Sequence, residues 1–525
     1  MLATNAKEKY DKAIEVALLL SKVQAEKEKE YQDIAFNFAE QSKALVLLSK
    51  FKDVEASSNS NIPSDLLQEL KQIRIELNYL NKQLKPESSS KTGSQKELQS
   101  QYFDYKQQYY ALIEKLEKEY PDYFHLKYAT ETVTIPQLQN HLQSTTAIIE
   151  YSIAEHHVFS FFIDKQQIRT HQIVKPSNFD KILLQHQRAI NTGSASKFVK
   201  TSTQLYEWLI APFEVLIEDK QRLVFIPDEN LHQLCFDTLV NQNTITKITF
   251  ADLPYLIKDF EISHHYSATL LLHIAQKRQH TQKQTDSFLG LAPITFNKNN
   301  TQSTGYIVKS EINSPKKAKP IILKSGGNHE ESLMDLEASE VEVKKVFNLF
   351  HKQNLESLAL FYEEASKSNL QKLAKNYKYV LISTHGFVNK SQPNLSGLYL
   401  SKPNLTKTTD LEEDASKLYL SDAYQLSLTA DLVVLSSCES GIGEVLKGEG
   451  MIALNRSFLY AGASNVIYSL FKVPQDSTSE LVQALFHHII HQKCTYSQAL
   501  RLAKLQLIEA GGELRDWAGF ALLGI

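Results

Sequence analysis

The sequence predicts an α/β protein in which a mostly parallel sheet, flanked by helices, follows an all-α N-terminal region. From about Ser144 onward, short apolar runs typical of strands alternate with helix-like segments, and this alternation favours a parallel sheet. Residues 1 to about 125 are nearly free of Gly and are rich in Lys, Glu, Gln, Leu and Ala. Apolar residues recur there at helical spacing, as at Ala13, Val16, Leu19, Leu20 and Val23.

Polar breaks at residues 57–63 and 86–90 divide the N-terminal region into about four helices, the last near residues 95–120. The first two, near residues 6–24 and 29–51, have the size of one hairpin of a helical repeat. A single hairpin does not bury its own apolar face, because such arrays normally stack three or more repeats. These helices therefore either dock on the rest of the chain or end a longer repeat array, and the region is equally a surface for a protein partner.

Two α/β units follow. Strand-like runs at residues 147–151, 158–163 and 223–227 form the first, in which Cys235 is interpreted as core packing. Runs at residues 288–292, 357–362, 379–384, 432–438 and 465–470 form the second. Polar low-complexity sequence at 276–286 and 297–331 separates parts of these units, and 297–331 is expected to be a flexible insertion. The predicted domains are 1–125, 140–280 and 286–525.

Composition excludes several classes of function. A chain of 525 residues with 42% hydrophobic content supports two to four domains, and its net charge of −3 does not favour nucleic acid or an anionic membrane surface. The apolar run at residues 16–20 is too short to cross a bilayer. Three distant cysteines, Cys235, Cys438 and Cys494, form neither a disulfide framework nor a zinc site. We expect a cytoplasmic protein without a cofactor or metal.

The strongest chemical signal is a pair of residues that follow two strands of the second unit. Cys438 ends the run 432–438, and His385 follows the strand 379–384. In parallel sheets, active sites lie at the carboxyl ends of the strands, where both residues are expected. An imidazole can take the proton of a thiol that is mostly protonated at neutral pH. His385 precedes Cys438 by 53 residues (438 − 385), which agrees with the spacing in caspases.

Each residue alone has a simpler interpretation. A Cys at the end of a buried strand is usually an inert small hydrophobe, and a His before Gly is usually a turn or core residue. Their placement at equivalent strand ends favours catalysis. Gly386 would let the backbone pass close to a substrate carbonyl, and the glycine-bearing loop 441–450 would leave the thiol uncovered.

Several sequence blocks resemble the CHAT-domain family, caspase- and separase-related cysteine peptidases that are commonly fused to tetratricopeptide repeats. The resemblance covers residues 145 to 525. Residues 35–44 also resemble the helix that commonly closes the repeat array. The blocks are residues 226–229 with Leu239, 383–386, 396–398, 435–441, 448–450, 461–463 and 517–520.

The resemblance implies a role for each site residue. Cys438 would be the nucleophile and His385 the general base and later acid, with the backbone N–H groups of Gly386 and Cys438 as oxyanion donors. Asp476 resembles the separase residue that meets a basic P1 side chain, although an Asp at this place is also a common helix N-cap. Asp422 is the alternative substrate-binding residue. The first α/β unit would be an inactive caspase-like half.

The predicted function is cleavage of a protein partner, regulated through the helical region, where an activating protein partner would bind. The alternative is a pseudoprotease scaffold, which the intact Cys438 and His385 disfavour. A thioesterase or acyltransferase with the same dyad would need an apolar acyl channel. The sequence leaves the oligomeric state, the substrate and its P1 residue open.

Overall fold

The computed structural model describes residues 2–43, 62–84, 93–121, 124, 132–241, 249–280, 284–294, 306–309, 336–389, 392–401, 416–437, 444–446 and 450–524. The α-helices of these ranges are α1 (Leu2–Val23), α2 (Glu28–Gln41), α3 (Ser64–Gln83), α4 (Gly93–Glu119), α5 (Ile135–His141), α6 (Phe179–Thr192), α7 (Ala195–Leu209), α8 (Glu214–Ile217), α9 (Leu256–Asp259), α10 (Ala268–His280), α11 (Glu337–Lys352), α12 (Lys367–Leu373), α13 (Leu420–Ala423), α14 (Leu454–Tyr460), α15 (Gln475–Gln492), α16 (Tyr496–Glu509) and α17 (Leu514–Trp517). No helix among the described residues has the length and apolar content that crossing a bilayer requires.

The strands of these ranges are β1 (Thr146–Ile153), β2 (His157–Ile163), β3 (Ile168–Val174), β4 (Arg222–Ile226), β5 (Glu261–His264), β6 (Ser287–Ala292), β7 (Tyr306–Lys309), β8 (Glu356–Phe361), β9 (Tyr379–Ser383), β10 (Gly386–Phe387), β11 (Gly397–Tyr399), β12 (Lys417–Tyr419), β13 (Leu432–Ser436), β14 (Glu444–Leu446), β15 (Gly450–Ile452), β16 (Asn465–Ser469) and β17 (Phe520–Leu523).

One large sheet runs through both predicted α/β units. Its strand order is β3-β2-β1-β4-β5-β17-β16-β13-β9-β6-β8-β7, and most neighbouring pairs are parallel. The central strands β9 and β13 are buried over their whole length, as expected for parallel strands covered by helices on both faces. The predicted α/β class with an all-α N-terminal region is therefore confirmed.

The two halves of this sheet run in opposite directions. The last strand, β17, is antiparallel to β16 and parallel to β5, where Leu523 pairs with His264. The parallel strands β1, β4 and β5 of the first half therefore end on the side of the sheet opposite to the one where β9 and β13 end. The carboxyl ends that the sequence analysis places at the site belong to the second half alone.

The first helical hairpin docks on the first half of the sheet. Apolar residues of α1 and α2 share a core with β1, β2, β4 and α10, and the rings of Phe36 and Phe161 lie 6.0 Å apart. The docking alternative is therefore observed, while a longer repeat array stays a prediction. The docking face of α1 carries Ile14, Ala17 and Leu18. Three apolar residues used to predict this helix lie instead on its exposed side: Val16, Leu19 and Val23.

The second hairpin, α3 and α4, has a separate apolar core. This core consists of Ile62, Leu70, Ile73, Leu112, Ile113 and Leu116, and none of them belongs to the two larger cores of the molecule. The hairpin is thus an apolar unit of its own beside the α/β halves.

One sequence prediction is wrong in part. Within the expected flexible insertion 297–331, residues 306–309 form β7, an edge strand antiparallel to β8. Tyr306 explains its position, because its ring stacks on Phe361 at 4.7 Å. The rest of that insertion lies outside the described residues.

The predicted open loop after Cys438 also contains a hairpin, β14 with β15, which packs against the 3₁₀ turn Glu229–Gln233 of the first half.

Candidate active site

The predicted dyad follows two strands that are neighbours in the sheet. β9 and β13 are parallel, with Ser383 opposite Ser436, and the Thr384 N–H donates to the Ser436 carbonyl at 3.1 Å. His385 lies two residues beyond Ser383, and Cys438 is two residues beyond Ser436 in the sequence. Cys438 itself lies outside the described residues. The expectation that the two strands end at equivalent places is confirmed.

Ser437, the last described residue before Cys438, is hydrogen-bonded to β16, the neighbour of β13 on the side away from β9. The Ser469 Oγ, at the end of β16, donates to the Ser437 carbonyl at 2.6 Å. Both serines are buried. Hydrogen bonds from residues at the ends of β9 and β16 therefore hold the backbone of Ser436 and Ser437 in place, directly before Cys438.

His385 is half-buried and begins a second, smaller sheet. Its carbonyl accepts the Tyr399 N–H at 2.9 Å, and the Thr384 Oγ1 donates to the Tyr399 carbonyl at 2.5 Å. In antiparallel pairs, hydrogen-bonded and non-hydrogen-bonded positions alternate. Because the Tyr399 N–H donates to the His385 carbonyl, these two residues form a hydrogen-bonded pair, and the next pair, Gly386 with Leu398, is a non-hydrogen-bonded pair. The Gly386 N–H thus points away from β11.

The smaller sheet has the order β10-β11-β12. Gly397 stands between its neighbours, opposite both Phe387 and Tyr419. A Cβ added at Gly397 would lie 2.1 Å from the Leu418 carbonyl oxygen, closer than any side chain can approach. The block 396–398 is therefore explained by the close approach of two backbones next to His385.

A buried acid that the sequence analysis missed lies beneath both strands. Glu342, on α11, accepts a hydrogen bond from the Ser436 Oγ at 3.1 Å and a second from Ser383. Its Oε1 atom is buried without a partner among the described residues. Burial raises the pKa of Glu342 to about 7, against the opposing effect of the two serine hydroxyls. One carboxyl group thus bridges the residues two positions before His385 and Cys438.

Asp422 is buried at the outer strand of the smaller sheet. It lies in α13, directly after β12, and is surrounded by cationic and amide groups. Lys367 Nζ donates to Oδ2 at 2.8 Å, and the Tyr419 N–H donates to the same oxygen at 3.1 Å. Asn78 Nδ2 donates to Oδ1 at 3.0 Å, and Lys82 forms an ion pair with Oδ1.

Asp476 lies in an exposed position in the first turn of α15. The N-cap of this helix is Pro474, so the N-cap interpretation of Asp476 is wrong by two residues. A carboxylate in the first turn still interacts favourably with the helix dipole. The substrate role of Asp476 stays a prediction.

Other predicted features have structural explanations. Cys235 is buried, its Sγ contacts the Ala518 carbonyl oxygen at 2.9 Å, and burial raises its pKa, which confirms the core interpretation. Gly462 has a φ of +114°, and a Cβ there would lie 2.3 Å from the Leu428 carbonyl oxygen. Within the described ranges, no group of three His, Cys, Asp or Glu side chains is arranged to hold a metal ion.

The fold is a mostly parallel α/β sheet that follows an all-α N-terminal region. The CHAT domain family matches residues 199–525, more than half of the chain, and the chain belongs to that family. Tetratricopeptide repeat protein 28 of Mus musculus is 34% identical over 108 residues, and that of Homo sapiens 32%. These segments cover 20% of this chain and 4% of either relative.

Two solved structures are similar in fold. The Saccharomyces cerevisiae separase–securin complex has a TM-score of 0.45 at 9% identity, covering 76% of this chain and 32% of that chain. The Arg-specific cysteine proteinase gingipain R has a TM-score of 0.37 at 9% identity, covering 66% and 74%. At such identities, both likenesses concern the fold alone.

Proposed function

We propose that this protein is a cysteine endopeptidase that cleaves a protein partner through Cys438 and His385. The observation that carries the proposal is the parallel register of β9 and β13, which puts Ser383 opposite Ser436 two residues before each member of the dyad. The domain boundaries 140–280 and 286–525 remain part of the proposal. In this proposal the first α/β half is catalytically inactive, and the second half, whose strands end at the site, carries the catalytic residues.

The reaction proceeds in two steps. Cys438 Sγ gives its proton to His385 and forms a bond to the carbonyl carbon of the substrate. The peptide C–N bond then breaks, and His385 returns the proton to the leaving amine. Water hydrolyses the thioester and restores the thiol. The Gly386 N–H, which points away from β11, and the Cys438 N–H stabilise the oxyanion in both steps.

Two residues support the site without reacting. Glu342 positions the ends of β9 and β13 through its hydrogen bonds to Ser436 and Ser383. Asp422 is the substrate-binding residue that the contacts support best, because it is a carboxylate already paired with cationic side chains on the sheet that begins at Gly386. Asp476 is kept as the second substrate-binding residue.

The test is intact-protein mass spectrometry after treatment with peptidyl acyloxymethyl ketones that carry Arg, Lys, Asp, Met or Leu at P1. We expect one added probe mass on the wild type, and none on Cys438→Ala or His385→Ala. Cys494→Ala is the matched control, because Cys494 is the partly exposed free cysteine of the described residues. It should label like the wild type.

Labelling that persists in Cys438→Ala would contradict the proposed nucleophile. Absence of labelling in every variant, including those in which the Asp422 subsite is emptied as described below, would favour the scaffold alternative.

A further inference from the structure

The two carboxylate oxygens of Asp422 are bound by different parts of the molecule. Oδ2 is held within the second α/β half, by the Tyr419 N–H and by Lys367 Nζ. Among the described residues, Oδ1 accepts from Asn78 and Lys82, and both belong to α3. Removing α3 would therefore release Oδ1 and leave the bonds that hold Asp422 in α13 unchanged.

Lys82 is bound in the manner of a ligand. Its side chain and that of Asp422 are each 7% exposed, and its Nζ lies 4.9 Å above the ring of Tyr419. A cation over an aromatic face and beside a carboxylate is a common way to bind a basic side chain. The subsite thus has an aromatic wall and one carboxylate oxygen facing a primary ammonium group.

The subsite lies on the smaller sheet β10-β11-β12, whose first strand directly follows His385, the proposed general base. Tyr419 lies opposite Gly397, which lies opposite Phe387, two residues after His385. The rings of Phe387 and Tyr419 are 5.8 Å apart. A substrate chain that lies along this small sheet would pass both His385 and Lys82.

The element that carries Lys82 is attached differently from the first hairpin. α1 and α2 share their apolar core with the first half of the sheet, whereas α3 and α4 have a core of their own. The contacts of α3 to Asp422 are polar, and a second basic side chain can replace them. Displacing α3 together with α4 would keep their common core intact and would therefore cost less apolar burial than displacing α1 and α2.

We propose that Lys82 is an internal occupant of a subsite that takes a Lys or Arg side chain of the substrate, and that α3 keeps the peptidase latent until a protein partner displaces it. This inference rests on the proposed function. It also names the activating event that the sequence analysis assigns to the helical region: exchange of Lys82 for a substrate side chain on Asp422 Oδ1.

The first experiment measures binding to the subsite and needs no catalysis. Agmatine, a small guanidinium compound, is titrated calorimetrically into the full chain carrying Cys438→Ala. Lys82→Met, which keeps most of the aliphatic stem and removes the charge, should bind agmatine at least about tenfold more tightly than the Lys82 protein. Adding Asp422→Asn should abolish the gain. Lys71→Ala, an exposed lysine on the same helix, is the control and should change nothing.

The second experiment measures reactivity with Cys438 intact. The labelling rate with the Arg probe should rise at least about tenfold in Lys82→Met, and the Leu probe should gain less. Lys82→Ala is the second variant in case Met refills the pocket.

The outcomes separate the two proposals. If agmatine binds all forms equally, or neither Lys82 variant gains affinity, the inference fails even when Cys438 labels normally. If agmatine binding responds to Lys82 and Asp422 while Cys438 never labels, the subsite stands and the peptidase proposal fails. A lower melting temperature without any gain in binding would mean a purely structural ion pair.

Discussion

At the scale of single residues, the carboxyl group of Glu342 is the least expected feature of the site. A Glu in a mixed helical segment is typical of a solvated face, so no sequence pattern indicates its burial. Only the fold puts α11 across the strands of Ser383 and Ser436. The positions of the proposed dyad could be named from the sequence because each follows a short apolar run, whereas the acid beneath the two strands could not.

Glu342 makes the stability of the protein depend on pH. Its pKa rises from the ordinary 4.5 to about 7 because burial disfavours the charged form. The folded state therefore holds this proton more tightly than the unfolded state, so its contribution is complete below pH 4.5 and is lost as the pH rises to about 7. We expect the free energy of unfolding to lose about 3 kcal/mol across this window from this group.

Glu342→Gln should remove that loss, because the amide cannot ionise. Urea unfolding measured across the window would show a flatter profile for this variant than for the wild type. Glu337→Gln, an exposed position on the same helix, is the control and should follow the wild type. Parallel profiles for wild type and Glu342→Gln would contradict the buried-proton account.

The Lys82–Asp422 pair shows a second limit at the residue scale. The two residues are 340 positions apart, and neither lies in a pattern that indicates a partner. Asp422 is recognisable in the sequence as an acid before a short helical segment. Its pairing with a lysine from a helix of the N-terminal region is not.

At the scale of elements, long strands were predictable and short ones were not. The sequence predicted the end of β9 to within one residue and that of β13 to within two, because buried parallel strands form continuous apolar runs between polar turns. β10, β11 and β12 have two or three residues each, too few for any periodicity. The sheet that carries the proposed substrate surface was therefore missed, although Gly397 within it was noted.

Gly397→Ala tests that sheet. The added Cβ would meet the Leu418 carbonyl oxygen, so β11 and β12 must separate. We expect a loss of about 1–3 kcal/mol in unfolding free energy and a larger loss of Cys438 labelling, because Gly397 pairs with the strand that follows His385.

The matched control for Gly397→Ala is Gly193→Ala. Gly193 ends α6 with a φ of +65° and has open space around it, so the substitution costs stability through backbone strain alone. It should leave labelling unchanged. If both variants label equally, the smaller sheet does not position the site.

At the scale of the whole molecule, a buried ion pair between Lys7 and Asp228 connects the N-terminal helices to the first half of the sheet. Asp228 directly precedes the 3₁₀ turn that packs on β14 and β15. Lys7 of α1 donates to the Asp228 Oδ2 at 2.9 Å, and the Ile153 N–H donates to the same oxygen at 2.8 Å. Burial lowers the pKa of Lys7, but Asp228 and Asp11 outweigh it and hold the pKa above its usual range.

Lys7→Met should destabilise the protein by about 3–5 kcal/mol, because it leaves the Asp228 carboxylate buried without its main cation. Thermal unfolding at neutral pH measures this loss. The double variant Lys7→Met with Asp228→Asn should recover part of it, and Lys9→Met, exposed on the same helix, should cost little. A double variant no more stable than Lys7→Met would contradict the ion-pair explanation.

The measurement that tests the central claim most directly is cleavage of a peptide library, with the cut bonds identified by mass spectrometry. Three full-length proteins are compared: Lys82→Met, Lys82→Met with Cys438→Ala, and Lys82→Met with His385→Ala. We predict that the first cuts after Lys or Arg and that the other two cut nothing. Equal cleavage by the Cys438→Ala protein, or no cleavage by Lys82→Met, would contradict a Cys438–His385 peptidase held latent by α3.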